Sequence, residues 1–154
     1  MFDLLKTAGA DRIMSVDLHA AQSQGFFDGP VDHLIAMPVL VDYVRDRFRD
    51  DLANVTVVSP DAGRIRVAEQ WAQRLGGGPL AFVHKTRDIT CPNKTVANRV
   101  VGDVAGRDCV MVDDLIDTAG TIAGACNVLK EAGAKSVTVV ATHGCLLYTS
   151  PSPR

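Results

Sequence analysis

Five short apolar runs recur along the chain, and the longer segments between them carry apolar residues at helical spacing. The runs are Arg12–Val16, Val55–Val58, Leu80–Val83, Cys109–Val112 and Val137–Ala141. Runs of this length, rich in β-branched residues, are typical of buried strands. Strands that alternate with helices are joined by right-handed crossovers and form a parallel sheet. The pattern therefore predicts an α/β fold, in which a parallel twisted sheet carries helices on both faces.

The segments between the strands predict helices with recognisable ends. These helices are Leu4–Ala8 (ending at Gly9), Asp42–Phe48, Arg64–Leu75 (ending at Gly76–Gly78) and Ala119–Ala132. The polar stretch Lys85–Asn98 is long for a connection, so the sequence predicts a functional loop there. Val100 and Val101 predict a short additional strand.

The composition limits the class of protein but says little about its function. The chain has 154 residues, enough for one domain with a core, with 47% apolar and 22% charged residues. Its net charge of −2 gives no indication of a nucleic-acid partner, and no apolar run approaches the length of a membrane span. The four cysteines include no Cys-x-x-Cys pair, which indicates reduced thiols in a cytoplasmic protein.

Chemically capable side chains follow the predicted strands. They are Asp17 and His19, then Asp61, then Lys85 and Arg87, then Asp113, Asp114 and Asp117, and finally His143. In parallel sheets, ligands bind beyond the carboxyl ends of the strands. We therefore expect these side chains to share one sheet edge and to form a metal-assisted site for an anionic ligand.

The segment Val112–Thr121 is the most informative stretch. A buried strand leads through acids and a turn of small and hydroxylated residues into a helix, which predicts a nest of backbone N–H groups suited to a phosphate monoester. The acids upstream suit sugar hydroxyls or hydrated Mg²⁺. The turn lacks the Gly-Lys-Ser/Thr of a Walker A loop. The alternative is an ordinary strand–turn–helix with solvated acids.

Several motifs in a fixed order carry a resemblance to a known family. They are Asp17–Ala20, Gly25–Asp28, Asp32–Leu34, Ser59–Gly63, Lys85–Arg87 and the Val112–Thr121 segment. From about Leu4 to Gly144 the chain resembles the ribose-phosphate pyrophosphokinases, which have the type I phosphoribosyltransferase fold. The resemblance implies that residues 1–144 form a C-terminal catalytic domain truncated at both ends. The Ser/Pro-rich residues 145–154 match nothing in the family, and we expect them to be irregular.

The resemblance implies a reaction and its partners. The family transfers the pyrophosphoryl group of ATP to ribose 5-phosphate, giving 5-phosphoribosyl 1-pyrophosphate and AMP for nucleotide biosynthesis. It implies Mg²⁺, a cytoplasmic location and a homohexamer for the full-length protein, and it leads us to expect the isolated chain to be inactive. Two alternatives stay open: a phosphoribosyltransferase that consumes the same product, and a non-catalytic regulatory or truncated subunit.

The resemblance also assigns roles to individual residues. Lys85 is implied as the catalytic lysine, and Arg87 as a catalytic contact to substrate phosphate. The implied substrate-binding residues are Asp113, Asp114, Asp117, Thr118, Ala119, Gly120 and Thr121. The implied pyrophosphate loop is Asp61, Ala62, Gly63 and Arg64, and the family usually has a second glycine where Arg64 stands. The implied Mg²⁺ site comprises His19 and Asp61, with Asp17, Asp28 and Asp32 in the same acidic neighbourhood.

Each assignment has a plainer structural alternative. A histidine can simply be satisfied at a strand end, aspartates can sit in a Gly/Pro turn or cap a helix, and two cations can be a solvated pair. These alternatives apply in turn to His19, to Asp28 and Asp32, to Asp61, and to Lys85 with Arg87. For Trp71, core packing is the favoured role.

Overall fold

A computed structural model describes residues 1–87, 95–117 and 119–145, with side chains described outside 85–98. Within these ranges the helices are α1 (Phe2–Thr7), α2 (Met37–Arg47), α3 (Ile65–Arg74) and α4 (Gly120–Glu131). The strands are β1 (Ile13–Val16), β2 (Val31–Leu34), β3 (Val55–Ser59), β4 (Leu80–Arg87), β5 (Thr95–Val101), β6 (Asp108–Ile116) and β7 (Ser136–Gly144). No helix of the described part is long and apolar enough to cross a membrane.

The main sheet has five strands in the order β5-β4-β3-β6-β7. Strands β4, β3, β6 and β7 are parallel, and β5 runs antiparallel to β4 at one edge. The predicted α/β fold with a largely parallel sheet is confirmed. The order places β3 and β6 inside the sheet, so the residues that follow these strands lie near its centre.

Two apolar cores cover the two faces of the sheet. On one face, α2 and α3 pack with Val44 and Trp71 against a cluster that includes Val57. On the other face, α4 packs with Leu129 against a cluster that includes Val58. Consecutive strand residues point to opposite faces, so neighbouring valines enter different cores. Helices on both faces are thus confirmed, and so is the core role of Trp71.

The first predicted strand does not belong to the main sheet. β1 pairs in parallel with β2, from Ile13 opposite Val31 onward, as a separate two-stranded sheet. Its residues alternate between half-buried and exposed, and Met14 is 69% exposed. A central parallel strand is buried on both faces, as β3 is throughout. The prediction of one continuous sheet was therefore wrong. A four-residue strand with one solvent-exposed face is suited to the periphery of the protein and not to the interior of the main sheet.

Strand lengths also differ from prediction. The stretch predicted as a loop supplies the end of β4 and the start of β5, with Lys85 paired to Asn98, while 88–94 lie outside the described residues. β6 continues to Ile116 because β7 runs beside it, with Asp113 opposite Ala141. The acids thus lie within a strand. Backbone groups that find partners prolong strands whatever the polarity of the side chains.

A polar network ties the opposite, amino-terminal ends of the strands together. Asp108 is buried and accepts hydrogen bonds from Ser136 Oγ at 2.5 Å, Lys135 Nζ at 2.9 Å and Asn54 Nδ2 at 3.3 Å. The hydrogen bonds from Ser136 and Lys135 lower the pKa of this carboxyl. Arg107 donates from Nε to Thr56 Oγ1 at 2.6 Å. The network joins β3, β6 and β7 through side chains at one end.

Asp108→Asn is expected to lower the free energy of unfolding at pH 7 by roughly 1–3 kcal/mol, because the donors around this buried position lose a charged acceptor. A carboxyl whose pKa is lowered by folding stabilises the protein above its unfolded-state pKa of about 3.9. That contribution is lost as the pH falls through the folded-state pKa. Urea unfolding at pH 7 and below pH 4 should therefore show a difference that shrinks in acid. The exposed Asp50→Asn is the control, and an equal effect of both variants would contradict the assignment.

Two glycines provide an opposed pair of stability tests. Gly102 has φ +113°, and a Cβ there would lie 2.6 Å from the Leu80 carbonyl oxygen. Gly102→Ala is expected to destabilise the protein by about 1–3 kcal/mol or more. Gly124 lies in α4, where a Cβ meets nothing within 4 Å, so Gly124→Ala is expected to stabilise by about 0.5–1 kcal/mol. Thermal unfolding that moves both variants in the same direction would refute this account.

Candidate functional site

A cavity of about 190 Å³ opens at the carboxyl ends of the strands, on the side covered by α2 and α3. Its polar lining residues include Asp113, Asp114 and Arg64, and its apolar lining residues include Leu40 and Trp71. The position follows from the topology, because β6 ends here between β3 and β7. The cavity combines acids, a cation and an apolar wall, as ligand pockets commonly do.

Two neighbouring acids, Asp113 and Asp114, form an acid pair in the lining of the cavity. The two side chains are 16% and 10% exposed. Arg64 reaches them from the turn before α3, with Nη2 2.6 Å from Asp114 Oδ2 and Nε 3.9 Å from Asp113 Oδ1. Asp113 Oδ1 also accepts a hydrogen bond from the backbone N–H of Asp114 at 2.9 Å. The guanidinium therefore bonds to one acid and only approaches the other.

The two acids have opposite pKa shifts. Burial, followed by the neighbouring Asp114, raises the pKa of Asp113. Burial also acts to raise the pKa of Asp114, but hydrogen bonds from Arg64 and His19 outweigh it and lower that pKa. Asp114 is thus held as a carboxylate by its partners, while Asp113 is the more readily protonated member of the pair.

His19 joins this cluster from the peripheral sheet. Its Nδ1 lies 2.8 Å from Asp114 Oδ2 and 2.9 Å from Arg64 Nη2. A protonated Nδ1 donates to the carboxylate, whereas a bare one accepts from the guanidinium. The histidine is 75% exposed, so its position depends on these polar contacts. The backbone N–H of Leu18 donates to His33 Nε2 at 2.9 Å and anchors the adjoining loop.

Asp17, at the end of β1, forms hydrogen bonds with β7 and with the residue before α2. Its Oδ2 accepts hydrogen bonds from Thr142 Oγ1 at 2.6 Å and from the Ala36 N–H at 3.2 Å. The residue has φ 46°, in the left-handed region that aspartate tolerates better than most residues. His143, a predicted site residue, donates from Nε2 to the Val16 carbonyl at 2.7 Å. These bonds attach the end of β1 to β7 and bring His19 to the acid pair.

Two of the predicted metal ligands form ion pairs away from the cavity. Asp28 forms an ion pair with Lys6 of α1, and Asp32 accepts from Arg12 Nε at 2.5 Å. Hydrogen bonds from these cations lower the pKa of each carboxyl. Neither aspartate lines the cavity. Across the described ranges, no three His, Cys, Asp or Glu side chains lie together as a metal-binding group.

The turn between β3 and α3 is built by local hydrogen bonds. Asp61 Oδ1 accepts from the Gly63 N–H at 2.9 Å, and Ser59 Oγ donates to the Asp61 carbonyl at 2.6 Å. The carboxylate caps the short 3₁₀ turn Ala62–Arg64, and α3 begins directly afterwards at Ile65. The geometry thus matches the alternative in which Asp61 caps the turn. The Arg64 side chain at the end of the same turn extends to the acid pair.

The turn between β6 and α4 ends in a residue with left-handed backbone conformation. Ala119 has φ 60° and precedes the first residue of α4, Gly120. An alanine cannot cap with its side chain, so it leaves the first N–H groups of α4 without a partner from that position. Asp117 is exposed, and Thr118 lies outside the described residues. For Lys85 and Arg87, the backbone lies in β4 and the side chains lie outside the described part.

Sequence reasoning missed one residue of this site and the contacts made by another. Thr142 binds Asp17, and the Arg64 side chain binds the acid pair. Thr142 carries no pattern of its own, since a threonine is an ordinary strand residue. Arg64 was predicted as part of the pyrophosphate loop, but its side-chain contact with the acid pair was not predicted. That contact, with residues 49 and 50 positions later, arises from the neighbouring places of β3 and β6 in the sheet.

The α/β sheet places an acid pair and a strand–turn–helix at its carboxyl edge. Residues 36–149 match the family model described as the phosphoribosyl transferase domain. The chain belongs to this family. It is 88% identical over 146 residues to a ribose-phosphate pyrophosphokinase of Bifidobacterium longum, an alignment that covers 95% of this chain and 43% of that protein.

Solved structures support the same assignment. The phosphoribosylpyrophosphate synthetase of Mycobacterium smegmatis is 59% identical, with a TM-score of 0.85, and the match covers 97% of this chain and 47% of that one. A purine phosphoribosyltransferase of Pyrococcus horikoshii is 17% identical, with a TM-score of 0.56, over 92% of this chain and 84% of that one. The second likeness concerns the fold alone. The chain spans less than half the length of the pyrophosphokinases that it matches.

The opposite pKa shifts of the acid pair lead to opposite stability effects. Ionised Asp113, with its pKa raised, destabilises the folded state above the unfolded-state pKa, so Asp113→Asn is expected to raise the free energy of unfolding at pH 7. Asp114→Asn removes a bonded carboxylate and is expected to lower it by roughly 1–3 kcal/mol. The Asp113→Asn difference should shrink as the pH falls toward the unfolded-state pKa of about 3.9, and the Asp114→Asn difference at lower pH, as the lowered pKa of Asp114 is passed. Urea titrations at pH 7 that give the same sign for both variants would overturn this division.

Proposed function

We propose that this chain is the ribose 5-phosphate-binding part of an enzyme that transfers the pyrophosphoryl group of ATP to ribose 5-phosphate. The products are 5-phosphoribosyl 1-pyrophosphate and AMP. The observation that carries the proposal is the 88% identity to a ribose-phosphate pyrophosphokinase over almost the whole chain. A phosphoribosyltransferase activity is less well supported, because the likeness to such an enzyme stands at 17% identity and concerns the fold.

The acid pair supports a role in binding the ribose ring. Carboxylates accept hydrogen bonds from vicinal hydroxyls, and both acids line the cavity at the strand ends. Asp114 is already bonded to Arg64 and His19. Asp113 would therefore be the principal acceptor for the sugar hydroxyls.

The turn that leads into α4 supports a role in binding the 5-phosphate. The left-handed Ala119 and the start of α4 at Gly120 direct backbone N–H groups outward from a helix N-terminus. Such a terminus favours a phosphate group through its N–H donors and its partial positive charge. In this proposal the phosphate binds to Asp117–Thr121, with the Thr121 hydroxyl as a side-chain donor.

Lys85 and Arg87 are proposed to act on the transferred group, Lys85 as the catalytic cation and Arg87 as a contact to substrate phosphate. Transfers of this kind accumulate negative charge on the non-bridging oxygens, and fixed cations stabilise that charge. β4 neighbours β3 in the sheet, so its end lies beside the Asp61–Arg64 turn proposed to bind pyrophosphate. Attack by the 1-hydroxyl on the β-phosphorus of ATP would then release AMP without a covalent enzyme intermediate.

Mg²⁺ belongs to this proposal, and the donors of the site suit its usual binding mode. The ion prefers oxygen ligands and often combines one or two carboxylates with water and substrate phosphates. Asp61 would supply a carboxylate, with Asp17 at the end of β1 and His19 acting through a water. Bound there, the ion would neutralise phosphate oxygens of ATP. Asp28 and Asp32 would remain in their ion pairs with Lys6 and Arg12.

The remaining expectations concern the whole protein. We propose a cytoplasmic enzyme of nucleotide biosynthesis that assembles as a homohexamer, with part of the ATP site supplied from outside this chain. The isolated chain would then bind ribose 5-phosphate and form little or no AMP.

Thr121→Val is expected to weaken ribose 5-phosphate binding by about 10-fold or more, because a hydrogen bond to a charged oxygen is worth roughly 1.5–3 kcal/mol. Calorimetry on the purified chain measures the affinity. Thr7→Val, on the distant helix α1, is the matched control. Equal affinities of the wild type and Thr121→Val would remove this turn from the proposed phosphate site.

The reaction itself is testable in a chimera that joins this chain to the remaining part of the Bifidobacterium longum relative. The chimera is expected to form AMP from ATP, Mg²⁺ and ribose 5-phosphate. Lys85→Ala should lower kcat by about 10²-fold or more, since a cation acting in the transition state affects the chemical step. Lys130→Ala, on the exposed side of α4, should leave kcat unchanged. A folded chimera that forms no AMP would contradict the proposed function.

A further inference from the structure

The side chain of Arg64 makes contacts that the proposed pyrophosphate turn does not require. The turn is formed by Asp61 and Gly63, while the guanidinium of Arg64 leaves it and bonds to Asp114 at 2.6 Å. The same Nη2 lies 2.9 Å from His19 Nδ1. One cation thus connects three elements of the chain: the β3–α3 turn, strand β6 and the loop after β1.

Charge explains why a cation is needed here. Asp113 and Asp114 are adjacent carboxyls that are mostly withdrawn from solvent. Two such carboxylates repel each other, and buried charge is tolerated when it is paired. Of the described residues that line the cavity, Arg64 alone is a lysine or arginine. The acid pair therefore depends on this residue for direct charge compensation within the cavity.

The position of Arg64 also argues against a role in stabilising α3. The residue is the N-cap of that helix, where the helix dipole disfavours a positive charge. It forms no side-chain capping bond. Its 23% exposed side chain is instead turned toward the acids. The contacts of Arg64 thus serve the cavity and not the helix that it begins.

We propose that Arg64 is a positioning residue of the ribose site: it occupies Asp114 and holds His19 beside it, which leaves Asp113 to accept the sugar hydroxyls. This inference rests on the proposed function for the identity of the sugar. The arrangement of Arg64, Asp114 and His19 stands without it. Arg64 acts on the substrate through Asp114, so its effect should disappear when Asp114 loses its charge.

A double-mutant cycle read by calorimetry with ribose 5-phosphate tests this dependence. Arg64→Gln is expected to weaken binding by about 10-fold, and Arg64→Lys to recover part of the loss. In the Asp114→Asn background, Arg64→Gln should change the affinity by less than about twofold. Arg66→Gln, an exposed arginine two residues along, is the control. Unchanged or tighter binding by Arg64→Gln, or the same loss in both backgrounds, would overturn the proposal.

A second measurement separates this proposal from the proposed function. If the wild-type chain binds no ribose 5-phosphate, the proposed function fails, and the positioning role is read from the ring NMR signals of His19, assigned with a His19→Gln variant. Arg64→Gln should shift these signals, whereas Arg66→Gln should not. If circular dichroism shows that Arg64→Gln is unfolded, Arg64→Lys serves instead, because one ammonium cannot reproduce the planar contacts of guanidinium. Unmoved His19 signals in a folded Arg64 variant would refute the positioning role.

Discussion

The burial of strand β6 between β3 and β7 is the constraint on which the rest of this structure depends. From Asp108 to Val112 every residue of the strand is buried, and its side chains alternate between the two cores. A parallel strand in this place must be covered on both faces, which requires helices on both sides. The strand then continues as far as Ile116 and carries two acids into the cavity.

The carboxyl groups at the two ends of β6 have different environments. At the amino-terminal end, Asp108 has several donors and a lowered pKa, so the carboxylate is a fixed part of the framework. At the carboxyl end, Arg64 and His19 satisfy Asp114, and Asp113 keeps a raised pKa. An acid held at such a cost to stability is typical of a functional site. The same strand thus carries a stabilised carboxylate at one end and a more readily protonated carboxyl at the other.

The peripheral β1–β2 sheet serves the site although it contributes little to the core. Asp17 binds Thr142, and His143 binds the Val16 carbonyl, so two hydrogen bonds attach the end of β1 to β7. This attachment carries His19 to Asp114. Many of the large apolar side chains left exposed lie in the same region, including Met14, Phe26 and Ile35. The residues around the cavity therefore come both from the buried main sheet with its helices and from the more exposed β1–β2 region.

The sequence by itself determined the type and order of the principal elements and the sheet edge at which the acid pair lies. The β-branched runs at Val55–Val58 and Cys109–Val112 could be recognised because full burial on both faces requires continuous apolar residues. The Asp113–Thr121 segment could be recognised because acids after a buried strand, followed by small and hydroxylated residues before a helix, form a distinctive order of residue types. The tertiary structure alone decided that β1 leaves the main sheet, that β4 and β5 extend into the predicted loop, and that Arg64 reaches Asp114. These outcomes depend on which strands lie next to each other and on side chains about 50 positions apart in the sequence. A local residue pattern does not specify which distant groups will come into contact.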